Sequence, residues 1–390
     1  MATSDSQYDT IIIGGGVSGC ASARKLAQDQ DVLIIDKGQI AGEASGLAAG
    51  LVAPTLFYSD LPEVAQHANQ FFRDFHGTNQ FEFTKRDRIE PILPENENEA
   101  REEVNRLSSE GFPITYMDTT SGSEKYPYMD LSEFCGIIEY RDTGWVDPYT
   151  YTISLKEDAI DQGADVQTSD RVKEIIVEDH SVEGVKTESG TYYASNVVVA
   201  AGWRTKDILS EYIDLPYAPF KLQCITLEPD NEIEDDFPLG RIPQEELYFR
   251  PEKNGTVLFG GGEYINNNPS TISSGGDIDG SFRNHVAITV PEFLEGFENA
   301  KLVNGWSGVD TATPDARPII DSPDEVPDGI IISGGFNGLG MVSSPVAATA
   351  VRSLVTGEPS PFPLDPFSYD RFETIPTEFK LHGTFGASNT

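Results

Sequence analysis

The chain has 390 residues, of which 38% are hydrophobic, and a net charge of −37 that comes from 64 acidic and 27 basic residues. This length and composition predict a folded protein, with one large two-lobed domain or two smaller ones, and exclude an intrinsically disordered chain. Such an acidic chain is unsuited to nucleic-acid binding. No apolar stretch approaches the roughly 20 residues that span a bilayer, so we expect no membrane span.

Cysteine and histidine are too scattered to build a metal centre. Cys20, Cys135 and Cys224 are far apart and the five histidines form no close pair, so we expect no metal site and no disulfide framework. The sequence also lacks the Gly-x-Ser-x-Gly elbow of many hydrolases and the phosphate-binding loop of P-loop NTPases. The polar stretch Met1–Gln7 is unlike a signal peptide, so we expect a cytoplasmic protein.

The N-terminal residues have the pattern of a βαβ unit. Tyr8–Ile13 is a short apolar run that predicts a buried parallel strand, and three glycines follow it directly. A helix is predicted from about Val17 to Gln28, and a second buried strand at Val32–Ile35.

The spacing Gly14-x-Gly16-x-x-Gly19, with Asp36 after the second strand, indicates a dinucleotide-binding turn. Gly14 permits the tight turn, Gly16 lets a pyrophosphate approach the backbone, and Gly19 lets the helix pack closely on the strand. The helix N-terminus supplies amide donors to the diphosphate. Asp36 is placed to accept hydrogen bonds from the ribose hydroxyls. These residues alone do not distinguish FAD from NAD.

The middle of the chain mixes helices with short strands. The stretch Asp165–Ala201 alternates like a small antiparallel meander, with turns predicted at Glu183-Gly184 and Ser189-Gly190. Residues Ala218–Val290 are predicted to form an antiparallel sheet. Three helices are predicted before these strands, at Leu61–Phe75, Asn96–Leu107 and Asp147–Gln162.

The segment Asp328–Ser333 predicts a further apolar strand, with the glycine-rich turn Gly334–Met341 and a helix to about Leu354 after it. The chain therefore contains two helix N-termini that follow glycine-rich turns, one near each end. A helix N-terminus stabilises the negative charge that a flavin gains on reduction. The pair of turns favours FAD over NAD.

Three segments resemble the D-amino-acid oxidase superfamily of FAD-dependent enzymes, which includes glycine oxidase, sarcosine oxidases and dehydrogenases, and D-amino-acid dehydrogenases. Gly42–Pro54 looks like the segment that wraps the flavin in this family, and Val197–Trp203 is similar to its strand ending in Ala-Ala-Gly. Gly305–Ile320 resembles the run Gly-Trp-Ala-Gly…Thr-Pro-Asp…Pro-Ile-Ile of the sarcosine oxidase type. Together the three segments extend over most of the chain in the family's order.

The resemblance implies an α/β FAD-binding lobe, Rossmann-like and of the glutathione-reductase type, and an α+β substrate lobe with an antiparallel sheet. The FAD-binding lobe is discontinuous, and the substrate lobe covers the flavin. We expect residues 1–84, 142–210 and 300–360 in the FAD-binding domain, residues 85–141 and 211–299 in the substrate domain, and residues 361–390 in a C-terminal tail.

The turns and the resemblance together predict the residues that contact FAD. We expect it to be bound non-covalently, because Gly308 stands where covalent members carry a cysteine. The predicted contacts are Gly14, Gly16, Val17, Ser18, Gly19, Asp36, Lys37, Ser45, Gly46, Ala48, Val172, Gly202, Asn337, Gly338, Leu339, Gly340 and Met341.

The resemblance implies oxidation of a carbon next to an amine nitrogen, but the usual substrate anchor is missing. Many members place an arginine shortly after the Trp-x-Gly of the third segment, and Asp310 stands in that stretch here. We therefore predict that Tyr248 and Arg250 bind and orient the substrate, because residues two apart on a strand share a face. A guanidinium beside a phenol suits a carboxylate. Lys221 is a second candidate.

The sequence leaves the function open between three classes. The first is oxidation of an amino acid or N-methylated amine, with oxygen or an electron carrier as acceptor. The second is an FAD-dependent dehydrogenase of a 2-hydroxy acid. The third is a flavin-bearing subunit that relays electrons within a larger complex.

The acidic residues are spread along the chain, which favours adaptation to a saline cytoplasm over a polycationic partner. Folding at low ionic strength concentrates this negative charge at a Coulomb cost, and molar salt shortens the Debye length to about 3 Å. We expect the melting temperature and FAD retention to rise strongly between about 0.1 and 2 M KCl. Thermal melts at both salt levels check this, and a flat or falling melting temperature contradicts it.

Overall fold

The computed structural model describes residues 7–265, 275–376 and 379–381. The strands there are β1 (Gln7–Ile13), β2 (Val32–Ile35), β3 (Leu51–Val52), β4 (Thr84–Lys85), β5 (Arg88–Ile92), β6 (Ile114–Asp118), β7 (Gly136–Tyr140), β8 (Gly144–Trp145), β9 (Asp165–Gln167), β10 (Val172–Glu178), β11 (Ser181–Thr187), β12 (Thr191–Val199), β13 (Ala218–Glu228), β14 (Leu239–Ile242), β15 (Leu247–Pro251), β16 (Val257–Ile265), β17 (Lys301–Ala312), β18 (Ile319–Asp321) and β19 (Ile330–Gly334). The helices are α1 (Val17–Leu26), α2 (Ala44–Leu47), α3 (Pro54–Phe57), α4 (Pro62–Phe75), α5 (Glu97–Ser109), α6 (Thr119–Lys125), α7 (Pro148–Asp161), α8 (Thr205–Ile208), α9 (Gly280–Phe293) and α10 (Gly340–Thr356).

The first sheet has a parallel centre in the order β19-β12-β1-β2-β9, with β10, β11 and β18 added antiparallel. The apolar run of β1 explains its central place, because Ile11 pairs with both Val197 and Leu33 and both faces are buried. Ile12 packs in the core that contains α1, α7 and α10, whereas Ile11 packs in the core on the other face.

The second sheet has eight strands in the order β17-β13-β16-β15-β14-β5-β7-β6. Its pairs are antiparallel, except that β14 runs parallel to β5. One face packs on α9 through Phe249 and Phe282. The other face carries Cys224 and Tyr248 and packs on Trp145 of a small sheet made of β3, β8 and β4. That second face is turned towards the segment between β2 and α3.

Three details differ from the sequence prediction. The predicted turn at Glu183-Gly184 is wrong, because the chain reverses at Asp179-His180, where both residues have positive φ (+48° and +67°). Gly184 lies inside β11, where a Cβ would come within 2.1 Å of the Tyr192 carbonyl oxygen. The region Ala218–Val290, predicted as sheet, also contains most of α9. β17 pairs with the second sheet, so the predicted boundary at residue 300 does not coincide with a change of sheet.

Gly19 brings α1 close to the turn that precedes it. A Cβ at this position would lie 2.0 Å from the carbonyl oxygen of Gly14, a backbone atom that can yield only if the turn itself shifts. We expect Gly19→Ala to destabilise the protein by about 1–3 kcal/mol or more, as overpacking does. Denaturant unfolding checks this, with Gly280→Ala as control, because a Cβ on Gly280 meets nothing within 4 Å. Equal stability of Gly19→Ala and the wild type would contradict the packing role.

Candidate active site

Four parallel strands of the first sheet end side by side at one edge. Gly14 follows β1, Asp36 follows β2, Ala200 follows β12 and Gly335 follows β19. Ligands of open α/β sheets bind in the crevice outside such carboxyl ends. A cavity of about 460 Å3 lies there, lined by the segments that follow these strands. We call it the main cavity.

The turn from Gly14 to Gly16 forms one wall of the main cavity. Gly14 has φ +117°, and a Cβ on it would lie 2.3 Å from the Ala200 carbonyl oxygen. Gly16 precedes α1, whose N-terminus has no side-chain cap and no acid in its first turn. The amide of Val17 donates to Ser45 Oγ at 2.9 Å. The helix dipole and the first-turn amides of α1 beyond Val17, which lack partners within the helix, make this wall suitable for a diphosphate.

Asp36 is held in a fixed orientation at the same edge. Its Oδ2 accepts a hydrogen bond from the Gly15 amide and its Oδ1 one from the Gly38 amide, both at 2.7 Å. Each carboxylate oxygen keeps a further lone pair. The arrangement leaves acceptors for vicinal hydroxyls, as the sequence predicts for the ribose.

Two cations and one acid lie together in the wall of the main cavity. Glu43 bonds Lys37 Nζ through one oxygen and Arg204 Nη1 through the other, each at 2.5 Å. Burial favours the protonated form of Glu43, but the Lys37 hydrogen bond and the Arg204 charge outweigh it, so its pKa is lowered. Arg204 also lies over the Trp203 ring, 4.1 Å from its centre. The sequence prediction missed Glu43 and Arg204, although Arg204 directly follows the Ala-Ala-Gly-Trp segment.

The C-terminal glycine-rich turn forms the opposite wall. Asn337 has φ +53°, and its side chain bonds the amide and hydroxyl of Thr313, both at 2.9 Å. The Gly338 amide donates to Asp310 Oδ2 at 2.8 Å. α10 follows with no side-chain cap and no acid in its first turn. The turn thus ties the end of β17 to a second open helix N-terminus.

Most of the predicted FAD contacts lie in the main cavity. Leu339 lines a smaller cavity beside it, Asn337 supports the turn, and the missing side chains of Gly19 and Gly46 allow close backbone contacts. For every residue in the predicted set, inside or outside the main cavity, contact with FAD stays a prediction. Those that line the main cavity are Gly14, Gly16, Val17, Ser18, Asp36, Lys37, Ser45, Ala48, Val172, Gly202, Gly338, Gly340 and Met341.

A second cavity of about 50 Å3, which we call the inner chamber, adjoins the main cavity under the second sheet. Tyr248 and Cys224 line it, with the phenol oxygen 3.7 Å from the thiol sulfur. Burial raises the pKa of Cys224 to about 11. Burial, with the nearby Cys224 and Glu263, raises the pKa of Tyr248 well above its ordinary value. Both groups are protonated at neutral pH. The walls shared by the two cavities are Ala44, Ala48, Val309, Asp310, Gly338 and Met341.

The structure does not support Arg250 as the carboxylate anchor. Arg250 does share a face with Tyr248, but its side chain is buried at 3% exposure and already engaged. Its Nε donates to the Ala49 carbonyl oxygen at 2.5 Å, and Nη2 pairs with Glu252 at 3.0 Å. Its guanidinium lies 4.3 Å from the centre of the Trp145 ring. Arg250 therefore braces the segment before β3 and lines neither cavity.

Lys221 is also directed away from the inner chamber. Leu222 and Cys224 of β13 line the chamber, and Lys221 alternates with them onto the other face. Its Nζ pairs with Asp279 at 2.8 Å. Neither cation that the sequence offered as an anchor reaches the candidate substrate space.

Other kinds of site find no support in the part of the chain that the structure describes. No group of three or more potential metal ligands occurs within residues 7–265, 275–376 and 379–381. None of the helices in those ranges is long and apolar enough to cross a membrane.

The fold and the site define a dinucleotide-binding oxidoreductase with a sheet-covered inner chamber. Two open helix N-termini, the oriented acid Asp36 and the cations Lys37 and Arg204 suit a long, diphosphate-bearing cofactor. A family model described as FAD dependent oxidoreductase matches residues 9–354. The chain belongs to this family, the D-amino-acid oxidase family, and its cofactor is FAD.

Relatives of similar length cover nearly the whole chain. Hydrogen cyanide synthase subunit HcnC of Pseudomonas protegens is 22% identical over 95% of this chain and 98% of its own. Glycine oxidase of Geobacillus kaustophilus is 25% identical over 94% and 97%, and its crystal structure superposes with a TM-score of 0.82 at 21% identity, covering 94% and 99%. L-proline dehydrogenase from P. horikoshii superposes with a TM-score of 0.86 at 21% identity, covering 95% and 98%. The predicted fold class is confirmed.

Replacing Asp36 by alanine removes the acceptors that we expect to hold the ribose. We expect FAD to bind more weakly by about 1.5–3 kcal/mol, the value of hydrogen bonds to a charged group. Titration of the apoprotein with FAD measures the change.

Asp324→Ala is the matched control, because Asp324 is an exposed acid between β18 and β19. The apoprotein is obtained by acid, which should release intact FAD because Gly308 replaces the attachment cysteine. Unchanged FAD affinity in Asp36→Ala would mean that the ribose is held elsewhere. Flavin that stays with the precipitate would contradict non-covalent binding.

Proposed function

We propose that the protein oxidises the carbon–nitrogen bond of an amine or amino acid in the inner chamber. The carbon next to nitrogen loses hydride and the nitrogen loses a proton, which leaves an imine that water hydrolyses. FAD supplies the hydride acceptor. The acceptor that regenerates oxidised FAD is oxygen or an electron carrier.

The observation that carries this proposal is the position of the inner chamber. It shares six wall residues with the main cavity, so a small molecule in it would touch whatever occupies the end of the main cavity near Gly338 and Met341. Its walls are mostly apolar, which keeps water from the reacting atoms. Its volume of about 50 Å3 suits a small substrate portion rather than a macromolecule.

Tyr248 is the side chain best placed to orient a substrate there. Its phenol is buried and protonated, so it can donate a hydrogen bond to a substrate acceptor or accept one from an amine. Its ring lies against Gly260, where a Cβ would come within 2.1 Å of the ring. This close packing fixes the position of the hydroxyl. We assign Tyr248 a catalytic role as substrate ligand, and Arg250 a supporting one.

The names of the relatives support the same donor class. Glycine oxidase and L-proline dehydrogenase are named for amino acids that lose hydrogen from a carbon next to nitrogen. A 2-hydroxy-acid donor is less well supported, because its carboxylate would need a cation and Arg250 and Lys221 are engaged elsewhere. HcnC is named as a subunit, which keeps electron relay as the alternative to test.

Anaerobic mixing tests the proposal directly. Panels of amino acids, N-methyl amines, simple amines and 2-hydroxy acids are mixed with the FAD-loaded protein, and flavin absorbance is followed. We expect bleaching with a nitrogen-containing donor, and slower bleaching in Tyr248→Phe with an unchanged resting spectrum.

Each contrary result has a distinct meaning. Bleaching by 2-hydroxy acids alone would establish the second class of function. No bleaching by any donor, with reduction by an artificial electron donor intact, would favour the relay subunit. An unaltered bleaching rate in Tyr248→Phe would remove Tyr248 from the site.

A further inference from the structure

The inner chamber has an acid where a carboxylate-binding enzyme needs a cation. Asp310 lines both the inner chamber and the main cavity. Among the described residues that line the chamber, it is the only one with a charged type of side chain. Charges outside the chamber act in both directions, because Glu263 raises and Arg250 lowers the pKa values of Cys224 and Tyr248. Within the chamber wall, the side chain that can carry charge is therefore the acid Asp310.

No cation reaches this acid from the described residues that line the chamber. Arg250 bonds Ala49 and Glu252, and Lys221 pairs with Asp279 on the other face of the sheet. The stretch 266–274 lies outside the described residues, and its sequence contains no lysine, arginine or histidine. Neither the described residues that line the chamber nor that stretch of sequence supplies a cation for a substrate carboxylate.

The carboxylate of Asp310 is held in place by two hydrogen bonds and can accept further ones. Its Oδ1 accepts from the Thr311 amide and its Oδ2 from the Gly338 amide, both at 2.8 Å. Each oxygen retains a lone pair for another donor. The two amides favour the charged form but burial outweighs them and raises the pKa of Asp310. A nearby cation would restore the charged form.

We infer that Asp310 makes the inner chamber selective for a cationic amine that carries no carboxylate next to the reacting carbon. The inference rests on the proposed function and narrows its substrate class. An ammonium group donates to the free lone pairs of Asp310 and offsets its charge, whereas an α-carboxylate would be placed beside a like charge in a poorly solvated space. Free amino acids are therefore poor ligands, and amines without the carboxylate are good ones.

Two small probes of similar size and opposite charge test this without turnover. The FAD-loaded wild type is titrated with propylammonium chloride and with sodium propionate at constant ionic strength and pH 7, and the flavin difference spectrum gives Kd. We expect propylammonium to bind at least tenfold more tightly than propionate. Propionate binding as tightly as propylammonium, or more tightly, overturns the inference whatever the variants do.

The variant Asp310→Asn separates the effect of the Asp310 charge on ligand selectivity from its structural support of the turn at Gly338. Losing the bond to Gly338 would weaken both probes alike, whereas losing the charge should reduce the ratio of the two Kd values about tenfold or more. Asp324→Asn should keep the wild-type ratio. A wild-type ratio in Asp310→Asn contradicts the inference. If Asp310→Asn does not retain FAD, Asp310→Glu keeps the charge and should keep the preference for the cation, and loss of that preference counts against Asp310.

The comparison of the two Kd values and the bleaching experiment with the donor panel can fail independently of each other. If no amine or amino acid bleaches the flavin but propylammonium is still preferred through Asp310, the proposed function is wrong and the charge selectivity stands. If an amino acid bleaches it far better than the corresponding amine and propionate is preferred, oxidation of a C–N bond stands and the role of Asp310 does not.

Discussion

The close approach of the first glycine turn to the end of β12 is the constraint on which the site depends. Gly14 leaves no space for a Cβ against Ala200, because β1 and β12 pair in parallel register up to Ile13 and Val199. This packing points the N-terminus of α1 across the sheet edge towards the turn before α10. The two helix N-termini can face one cavity only because the parallel strands that precede them, β1 and β19, both flank β12.

The segment between β2 and α3 transmits this constraint to the second sheet. Its Ser45 contacts the first turn, and its Leu47 and Ala49 carbonyl oxygens accept from Trp306 Nε1 at 2.8 Å and Arg250 Nε at 2.5 Å. Ala44 and Ala48 in the same segment line both cavities. The segment therefore fixes the inner chamber relative to the main cavity. The buried side chain of Arg250 holds this segment in place and does not face a ligand.

The sequence predicts the parts of the site that local pattern controls. The β1–α1–β2 unit follows from apolar runs and glycine spacing, and the face shared by Tyr248 and Arg250 follows from strand alternation. The use of Arg250 does not follow, because its partner Ala49 is 201 residues away along the chain. Gly184 was misread for a related reason. Its missing Cβ serves a close cross-strand contact with Tyr192, whereas the adjacent reversal uses Asp179 and His180 in positive φ.

The charges of this protein act in two environments with different physics. The exposed acids that dominate the net charge of −37 are screened by molar salt. Asp310 is half-buried among apolar side chains and accepts hydrogen bonds from two backbone amides, and ions in solution screen a partly buried charge less than an exposed one. Molar salt should therefore raise the stability of the whole protein. The preference of the inner chamber for a cationic ligand should persist at the same salt concentration. A ligand preference that vanished in molar KCl would instead show that solvent ions reach Asp310 freely.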